Sequence, residues 1–141
     1  YLRFDDKAFR QITNIYDPDC IVCLDPTLPQ SVNIFAGMND HGTWIQATKK
    51  SLDQLAVPEK VDRVGLCDGF GLAMQVLGRP ITNSIMLGVF AKTTGIVSLQ
   101  SLNKGMETTA FRDAILEKNI EAAKRGYEES RIYDTRKKEA S

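Results

Sequence analysis

Two cysteines three residues apart, Cys20 and Cys23, form the most conspicuous chemical motif of the sequence. A C-x-x-C pair can hold a metal ion or exchange electrons. Here the pair lies in DCIVCLD, a short apolar run with β-branched residues that predicts a buried strand. Residues three apart on a strand point to opposite faces, so the two sulfurs cannot share a metal ion. We therefore predict two buried structural thiols.

The other common catalytic and metal-binding patterns are not found in the sequence. The only histidine, His41, lies in the turn-forming stretch NDHG and is expected to be solvent-exposed. No serine or cysteine has a partnered histidine in a known motif, and the glycine-rich phosphate-binding fingerprints are missing. An acidic strand end followed by a lysine is typical of receiver domains, but the acidic pair that follows the first strand of that fold is missing. The residues alone predict neither a catalytic residue nor a metal site.

A polar triplet, Thr82, Asn83 and Ser84, directly precedes the apolar run of residues 85–91. Asn83 or Ser84 can cap a helix that begins here. Alternatively, the free N–H groups and the positive dipole end of this helix can face a ligand phosphate or carbonyl. The helix is apolar on all sides and must be buried all round. In a domain this small, we expect another subunit to cover one side of it.

The composition is that of one ordinary globular domain of 141 residues. Lys plus Arg and Asp plus Glu number 18 each, so no overall charge favours nucleic acid or an anionic membrane. The apolar runs are too short for a transmembrane helix. Three cysteines, an odd number, argue against a disulfide framework and fit a reducing cytoplasm. We expect a cytoplasmic protein whose partners include neither nucleic acid nor a membrane.

Strand signals dominate the first half of the chain and helix signals the second. The stretches YLRF, DCIVCLD, TWIQATK and VDRVGLC predict strands, and residues 29–42 can hold one or two helical turns. The first predicted helix spans residues 69–77, is capped by Asp68 and ends at Gly78. The second spans residues 84–92 and ends at Gly95, and a third is capped by Ser98. The last spans residues 112–129 and carries a predicted Glu121–Arg125 ion pair.

This order of elements predicts an α/β fold, a three-layer α/β/α domain with a mostly parallel sheet and a helix-rich C-terminal half. Ligands of such folds gather at the carboxyl ends of the strands. Those ends carry Asp25, Lys49 with Lys50, and Asp68 in this sequence.

Three long stretches resemble the gamma subunit of the 2-oxoacid:acceptor oxidoreductases, the group that includes pyruvate:ferredoxin oxidoreductase. They are YDPDCIVCLDPTL, GLAMQVLGRPITNSIMLGVFAKTTGIVSLQSL and EKNIEAAKRGYEE. The most specific pieces are P-x-x-N-S-x-M-L-G from Pro80 and E-K-N from Glu117, followed by Gly126 and Tyr127. Gamma subunits normally begin with a strand and a G-x-G-G-Q-G turn, which this sequence does not contain. The resemblance implies a gamma-type domain over residues 1–129, without that strand and loop, and a C-terminal tail over residues 130–141.

The resemblance also implies a role in a multi-subunit enzyme that oxidatively decarboxylates a 2-oxoacid to an acyl-CoA. Thiamine diphosphate with Mg²⁺ and [4Fe-4S] clusters are expected in alpha, beta and delta-type partner subunits, with no cofactor and no catalytic residue in this chain. Electrons would pass to ferredoxin or another acceptor. The gamma domain is expected to help form the coenzyme A side of the site, and Thr82, Asn83 and Ser84 are its candidate contacts.

The 2-oxoacid itself is left open by the sequence. Pyruvate is the first expectation, and phenylglyoxylate, 2-oxoglutarate, indolepyruvate and branched-chain oxoacids are the alternatives within the family. The alternative role is that of an α/β module that only scaffolds the assembly.

Overall fold

The computed structural model describes residues 2–8, 10, 13–109 and 111–138, the last two without their side chains. A four-stranded sheet has the order β1 (Cys20–Cys23), β2 (Gly42–Ala47), β3 (Val61–Cys67) and β4 (Arg131–Asp134). The first three strands are parallel, and β4 pairs with β3 in the antiparallel direction. The predicted α/β class and mostly parallel sheet are therefore confirmed.

The helices are α1 (Leu28–Ser31), α2 (Gly69–Leu77), α3 (Asn83–Thr94), α4 (Leu99–Glu107) and α5 (Asp113–Glu129), and short 3₁₀ helices span Leu52–Gln54 and Thr135–Lys138. Four helix ends lie at the predicted residues. The Asp68 carboxylate accepts the N–H of Gly71 at 2.9 Å and so caps α2, while Ser98 caps α4 through the N–H of Ser101 at 3.0 Å. Gly78 and Gly95 end α2 and α3 in the left-handed conformation, with φ of 66° and 67°.

The two faces of the sheet are covered by different structures. On one face, Ile45, Ala47 and Cys67 pack against buried residues of α2, α3 and α5. On the other face, the core around Trp44 is closed by half-buried side chains of the segments that follow α1 and β2, with no long helix among the described residues there. The helix-rich C-terminal half therefore lies on one face of the sheet.

Helix α3 lies between the sheet and α5, in contact with β2, β3 and α5. Ile85, Met86 and Val89 are fully buried by the chain's own residues. Leu87 is the exception, with 42% of its surface exposed. The chain's own sheet and α5 therefore cover most of this helix, and cover by another subunit stays a prediction for the exposed side at Leu87.

Two glycines allow α3 and α5 to touch backbone to backbone. A Cβ atom added at Gly88 would lie 1.9 Å from the carbonyl oxygen of Ala123, and one added at Gly126 would lie 2.0 Å from the carbonyl oxygen of Ile85. No side chain larger than hydrogen fits at either position without moving a helix backbone. Gly88 and Gly126, both in the segments that resemble gamma subunits, therefore set the distance between these helices.

Two local predictions differ from the structure. Residues 2–4 of YLRF form no strand; residue 1 lies outside the described residues. Arg125 forms its ion pair with Glu129, one turn after it, and not with the predicted partner Glu121, one turn before it. Within the predicted tail, residues 131–134 form β4 and residues 135–138 form a 3₁₀ helix; residues 139–141 lie outside the described part.

Candidate functional site

The polar triplet lies at the start of α3, but its caps differ from the prediction. The helix begins at Asn83, so Thr82 occupies the capping position, and its side chain makes no capping hydrogen bond. The prediction that Asn83 or Ser84 caps the helix is wrong, because both lie inside its first turn. The helix is held instead by packing and by a contact from α5.

That contact joins Ser84 to Asn119 of α5. The Ser84 hydroxyl donates a hydrogen bond to Asn119 Oδ1 at 2.5 Å, and Asn119 Nδ2 donates to the carbonyl oxygen of Ile115 at 2.8 Å. Ser84 is buried, so this acceptor replaces the water that its hydroxyl would otherwise bind. Ser84 therefore faces α5 and is not available to a ligand.

Thr82 and Asn83 differ from each other in accessibility. Thr82 is buried beside the strand ends, since a Cβ atom at Gly69 would lie 3.4 Å from both Thr82 Cγ2 and Ala47 Cβ. Asn83 is exposed at the first turn of α3. The structure therefore brings the triplet next to the ends of β2 and β3 and leaves Asn83 as the accessible member.

A polar cleft of about 330 Å³ opens at the carboxyl ends of β2 and β3. This is the edge of a parallel sheet where α/β proteins bind ligands. Two of the predicted strand-end residues, Lys49 and Asp68, lie there with their side-chain charges 3.7 Å apart. The residues that line the cleft are Lys49, Cys67, Asp68, Leu72, Gln75, Glu129 and Arg131.

The sequence did not indicate the contribution of Gln75, Glu129 and Arg131 to this cleft. Arg131 begins β4 and donates from one guanidinium nitrogen to the carbonyl oxygens of Thr48, at 3.4 Å, and Lys50, at 3.0 Å. These contacts join residues more than 80 positions apart, which no local pattern encodes. The adjacent β-branched Ile132 and aromatic Tyr133 are the one signal that could have placed Arg131 on a strand.

Asp25, the third predicted strand end, has a structural role. Its carboxylate accepts the N–H and the hydroxyl of Thr27, each at 2.7 Å, and these hydrogen bonds lower its pKa. Its carbonyl oxygen accepts the Gln46 amide at 3.0 Å. Asp25 therefore orders the turn after β1 and does not line the cleft.

His41 is exposed in the turn before β2, as predicted, and adopts a left-handed φ of 68°. Its Nδ1 lies 3.0 Å from a carboxylate oxygen of Asp62, at the opposite end of the sheet from the cleft.

The cysteines are separated as the strand pattern predicts. Cys20 packs on the sheet face that carries α3, while Cys23 pairs in register with Gln46 on the other face. Burial raises the pKa of Cys20 to about 11, with a smaller contribution from Asp19. Burial likewise raises the pKa of Cys67 to about 11. Among the described residues no three metal-ligating side chains cluster, so these thiols do not fit an iron–sulfur cluster held by this part of the chain.

None of the helices in the described part of the chain combines the length and apolar content needed to cross a lipid bilayer.

Fold and site together define an α/β domain with a polar cleft at the carboxyl ends of its parallel strands. Comparison with known proteins identifies the family. The chain belongs to the pyruvate ferredoxin/flavodoxin oxidoreductase family, whose profile matches residues 1–129. The resemblance inferred from the sequence motifs is thereby confirmed.

Among its relatives, the chain is 52% identical over 141 residues to the gamma subunit of NADH-dependent phenylglyoxylate dehydrogenase from Aromatoleum evansii, covering 100% of this chain and 74% of the relative. It is 39% identical over 136 residues to the common gamma subunit of the pyruvate/ketoisovalerate oxidoreductases from Thermococcus kodakarensis. That alignment covers 95% of this chain and 73% of the relative. The crystal structure of the pyruvate oxidoreductase subunit PORC from Thermotoga maritima superposes with a TM-score of 0.73 at 31% identity, covering 85% of this chain and 67% of that one.

Proposed function

We propose that this chain is the gamma subunit of an oxidoreductase complex that oxidatively decarboxylates a 2-oxoacid to its acyl-CoA. The observation that carries the proposal is the match, over nearly the whole chain, to gamma subunits named for such enzymes. The similar fold of a pyruvate oxidoreductase subunit supports it. The electrons go to ferredoxin or another acceptor.

The cofactors of this reaction lie in partner subunits under this proposal. Thiamine diphosphate with Mg²⁺ supplies the decarboxylation chemistry, and [4Fe-4S] clusters carry the electrons, in alpha, beta and delta-type subunits. This chain contributes a sheet and a pair of helices whose close approach depends on Gly88 and Gly126. It also contributes the polar groups of the cleft at the strand ends, where a ligand can bind. Cytoplasmic assembly is part of the same proposal.

Two 2-oxoacids are candidates for the substrate. Pyruvate is the expectation from the family as a whole. Phenylglyoxylate is favoured by a specific observation, the 52% identity to a phenylglyoxylate dehydrogenase subunit, against 39% to a subunit named for pyruvate and ketoisovalerate. The latter name describes one gamma subunit shared by two oxoacid specificities, so a gamma subunit need not select the oxoacid.

Asn83 is the proposed contact to coenzyme A. Of the three residues predicted for this role, Thr82 is buried and Ser84 is engaged by Asn119, which leaves Asn83 with an accessible amide at the start of α3. An amide can donate to a phosphate oxygen or to a carbonyl of the pantetheine arm. One such hydrogen bond contributes about 0.5–1.5 kcal/mol with a neutral partner and about 1.5–3 kcal/mol with a charged one.

Asn83→Ala tests the coenzyme A contact in the purified complex. The KM for coenzyme A should rise by roughly 2- to 100-fold, while decarboxylation without coenzyme A continues unchanged. The matched control is Asn33→Ala, which removes an exposed asparagine from the segment after α1. An unchanged KM in an assembled complex would show that Asn83 makes no such contact.

The complex itself is tested by anaerobic purification of the tagged chain from its native host. Partner subunits in fixed stoichiometry, identified by mass, are the expected result, and their sequences carry the substrate pocket. A chain that elutes alone under all conditions would contradict the proposal. If partners are captured but no substitution near Asn83 changes the KM for coenzyme A, the chain only scaffolds the complex.

A further inference from the structure

One charged group of the strand-end cleft, Arg131, has no ion-pair partner among the described residues. Asp68 is satisfied by the Gly71 N–H at 2.9 Å and by Lys49 at 3.7 Å. Glu129 is paired with Arg125. Among the described residues, Arg131 has no carboxylate within 4.0 Å of its guanidinium. The lining therefore has two cations, Lys49 and Arg131, and two carboxylates that already have partners, and Arg131 is the cation that pairs with neither.

Main-chain carbonyl groups fix the position of that arginine. One nitrogen of Arg131 donates to the carbonyl oxygens of Thr48 and Lys50, which follow the end of β2. A guanidinium has five N–H donors in a rigid plane, so donors remain beyond those two contacts. A planar cation held in this way suits the two oxygens of a phosphate or a carboxylate.

Two lysines, Lys49 and Lys50, lie in the segment that Arg131 contacts. Lys49 lines the cleft, and its side chain is 79% exposed, so its loose pair with Asp68 leaves it free to turn toward a ligand. Lys50 is exposed next to it. Buried Cys67 and Leu72 provide an apolar floor, and Gln75 offers a neutral amide. A volume of about 330 Å³ lies at the lower end of the range found for small-molecule sites.

We propose that this cleft is an oxyanion-binding site, in which Arg131 binds the phosphate or carboxylate group of a small ligand and the neighbouring Lys49 supports it. The site uses none of residues 82–84. The oxyanion site does not depend on the role of the chain in a complex. Either proposal, the oxyanion site or the gamma-subunit function, can therefore fail while the other holds.

Titration of the purified, ¹⁵N-labelled chain at constant ionic strength tests the site, with inorganic phosphate, acetate and adenosine 3′,5′-bisphosphate as separate probes. Saturable shifts of the backbone amides of Thr48, Lys50 and Gly69 are expected with at least one probe. Tighter binding of the phosphate probes assigns a phosphate ester, and tighter binding of acetate assigns a carboxylate. No saturable shift at the cleft with any probe overturns the proposal.

Arg131→Gln should weaken that binding by roughly 10- to 100-fold, the loss expected for a charged hydrogen bond. The matched control is Arg112→Gln, since Arg112 also donates to main-chain carbonyl oxygens but lies between α4 and α5. Lys49→Gln, at an exposed position, provides a second variant that keeps the fold, and weaker binding is expected from it too. Binding that is unchanged in Lys49→Gln and in a folded Arg131→Gln chain would contradict the proposed site.

Discussion

Replacing Gly88 by alanine should destabilise the chain although alanine is the better helix former. The added Cβ would lie 1.9 Å from the carbonyl oxygen of Ala123 and 2.8 Å from the backbone nitrogen of Tyr127. Both are backbone atoms of α5 and cannot rotate away as a flexible side chain can. To reach the 3.4 Å of an ordinary contact, the helices must separate by about 1.5 Å.

That separation opens a tightly packed interface. Ile85, Val89, Ala122 and Ala123 are 0% exposed and lie where the two helices meet. Overpacking a core by one methyl group costs about 1–3 kcal/mol, and more when backbone has to move. The helix propensity of alanine offsets at most about 1 kcal/mol of this. We expect a net loss of about 2 kcal/mol in the free energy of unfolding.

Urea unfolding followed by circular dichroism measures this loss, with Gly105→Ala as the matched control. Gly105 also lies inside a helix, α4, but an added Cβ there has no atom within 4 Å. Its alanine variant should gain about 0.5–1 kcal/mol from helix propensity alone. If Gly88→Ala is stabilised as much as Gly105→Ala, the close approach of α3 and α5 is refuted.

The other predictions concern a buried hydrogen bond, a thiol and the cofactors. Asn119→Ala leaves the buried Ser84 hydroxyl without its acceptor and should cost about 1–3 kcal/mol in urea unfolding; an unchanged midpoint would show that water replaces it. Between pH 9 and 11 the unfolded chain loses the Cys67 proton while the folded chain, whose thiol has a pKa of about 11, keeps it, so stability falls as pH rises. In Cys67→Ala the free energy of unfolding should decrease less steeply with pH. The same pH dependence in both chains would contradict a raised pKa of Cys67. The chain purified alone under anaerobic conditions should contain neither iron nor thiamine diphosphate in stoichiometric amounts, and metal analysis showing one cluster per chain would disprove this.

Strands and caps were predictable where local chemistry decides them. VDRVGLC matches β3 residue for residue, because its second half, VGLC, is the continuous apolar run of a strand buried on both faces. Asp68 and Gly78 mark the ends of α2, because each meets a backbone requirement that few other residues meet.

The missed features depend on contacts between distant parts of the chain. β4 is a four-residue edge strand that pairs with β3, and α2–α5 lie between the two strands in the sequence. No local pattern encodes so distant a pairing. Ser84 looked like a helix cap because its acceptor, Asn119, is 35 residues away. Only the strand-end half of the cleft, Lys49 and Asp68, was visible from the sequence, since Arg131 arrives there through β4.

The central claim is that this chain acts as the gamma subunit of a 2-oxoacid oxidoreductase. The most direct measurement is the reduction of an electron acceptor by the complex captured on the tagged chain, with pyruvate and phenylglyoxylate supplied in turn and coenzyme A present or withheld. The account predicts oxoacid-dependent reduction that yields acyl-CoA and is lost when the captured material is stripped of its partner subunits. A captured complex that reduces no acceptor with any 2-oxoacid, under conditions that preserve iron–sulfur clusters and thiamine diphosphate, would contradict it.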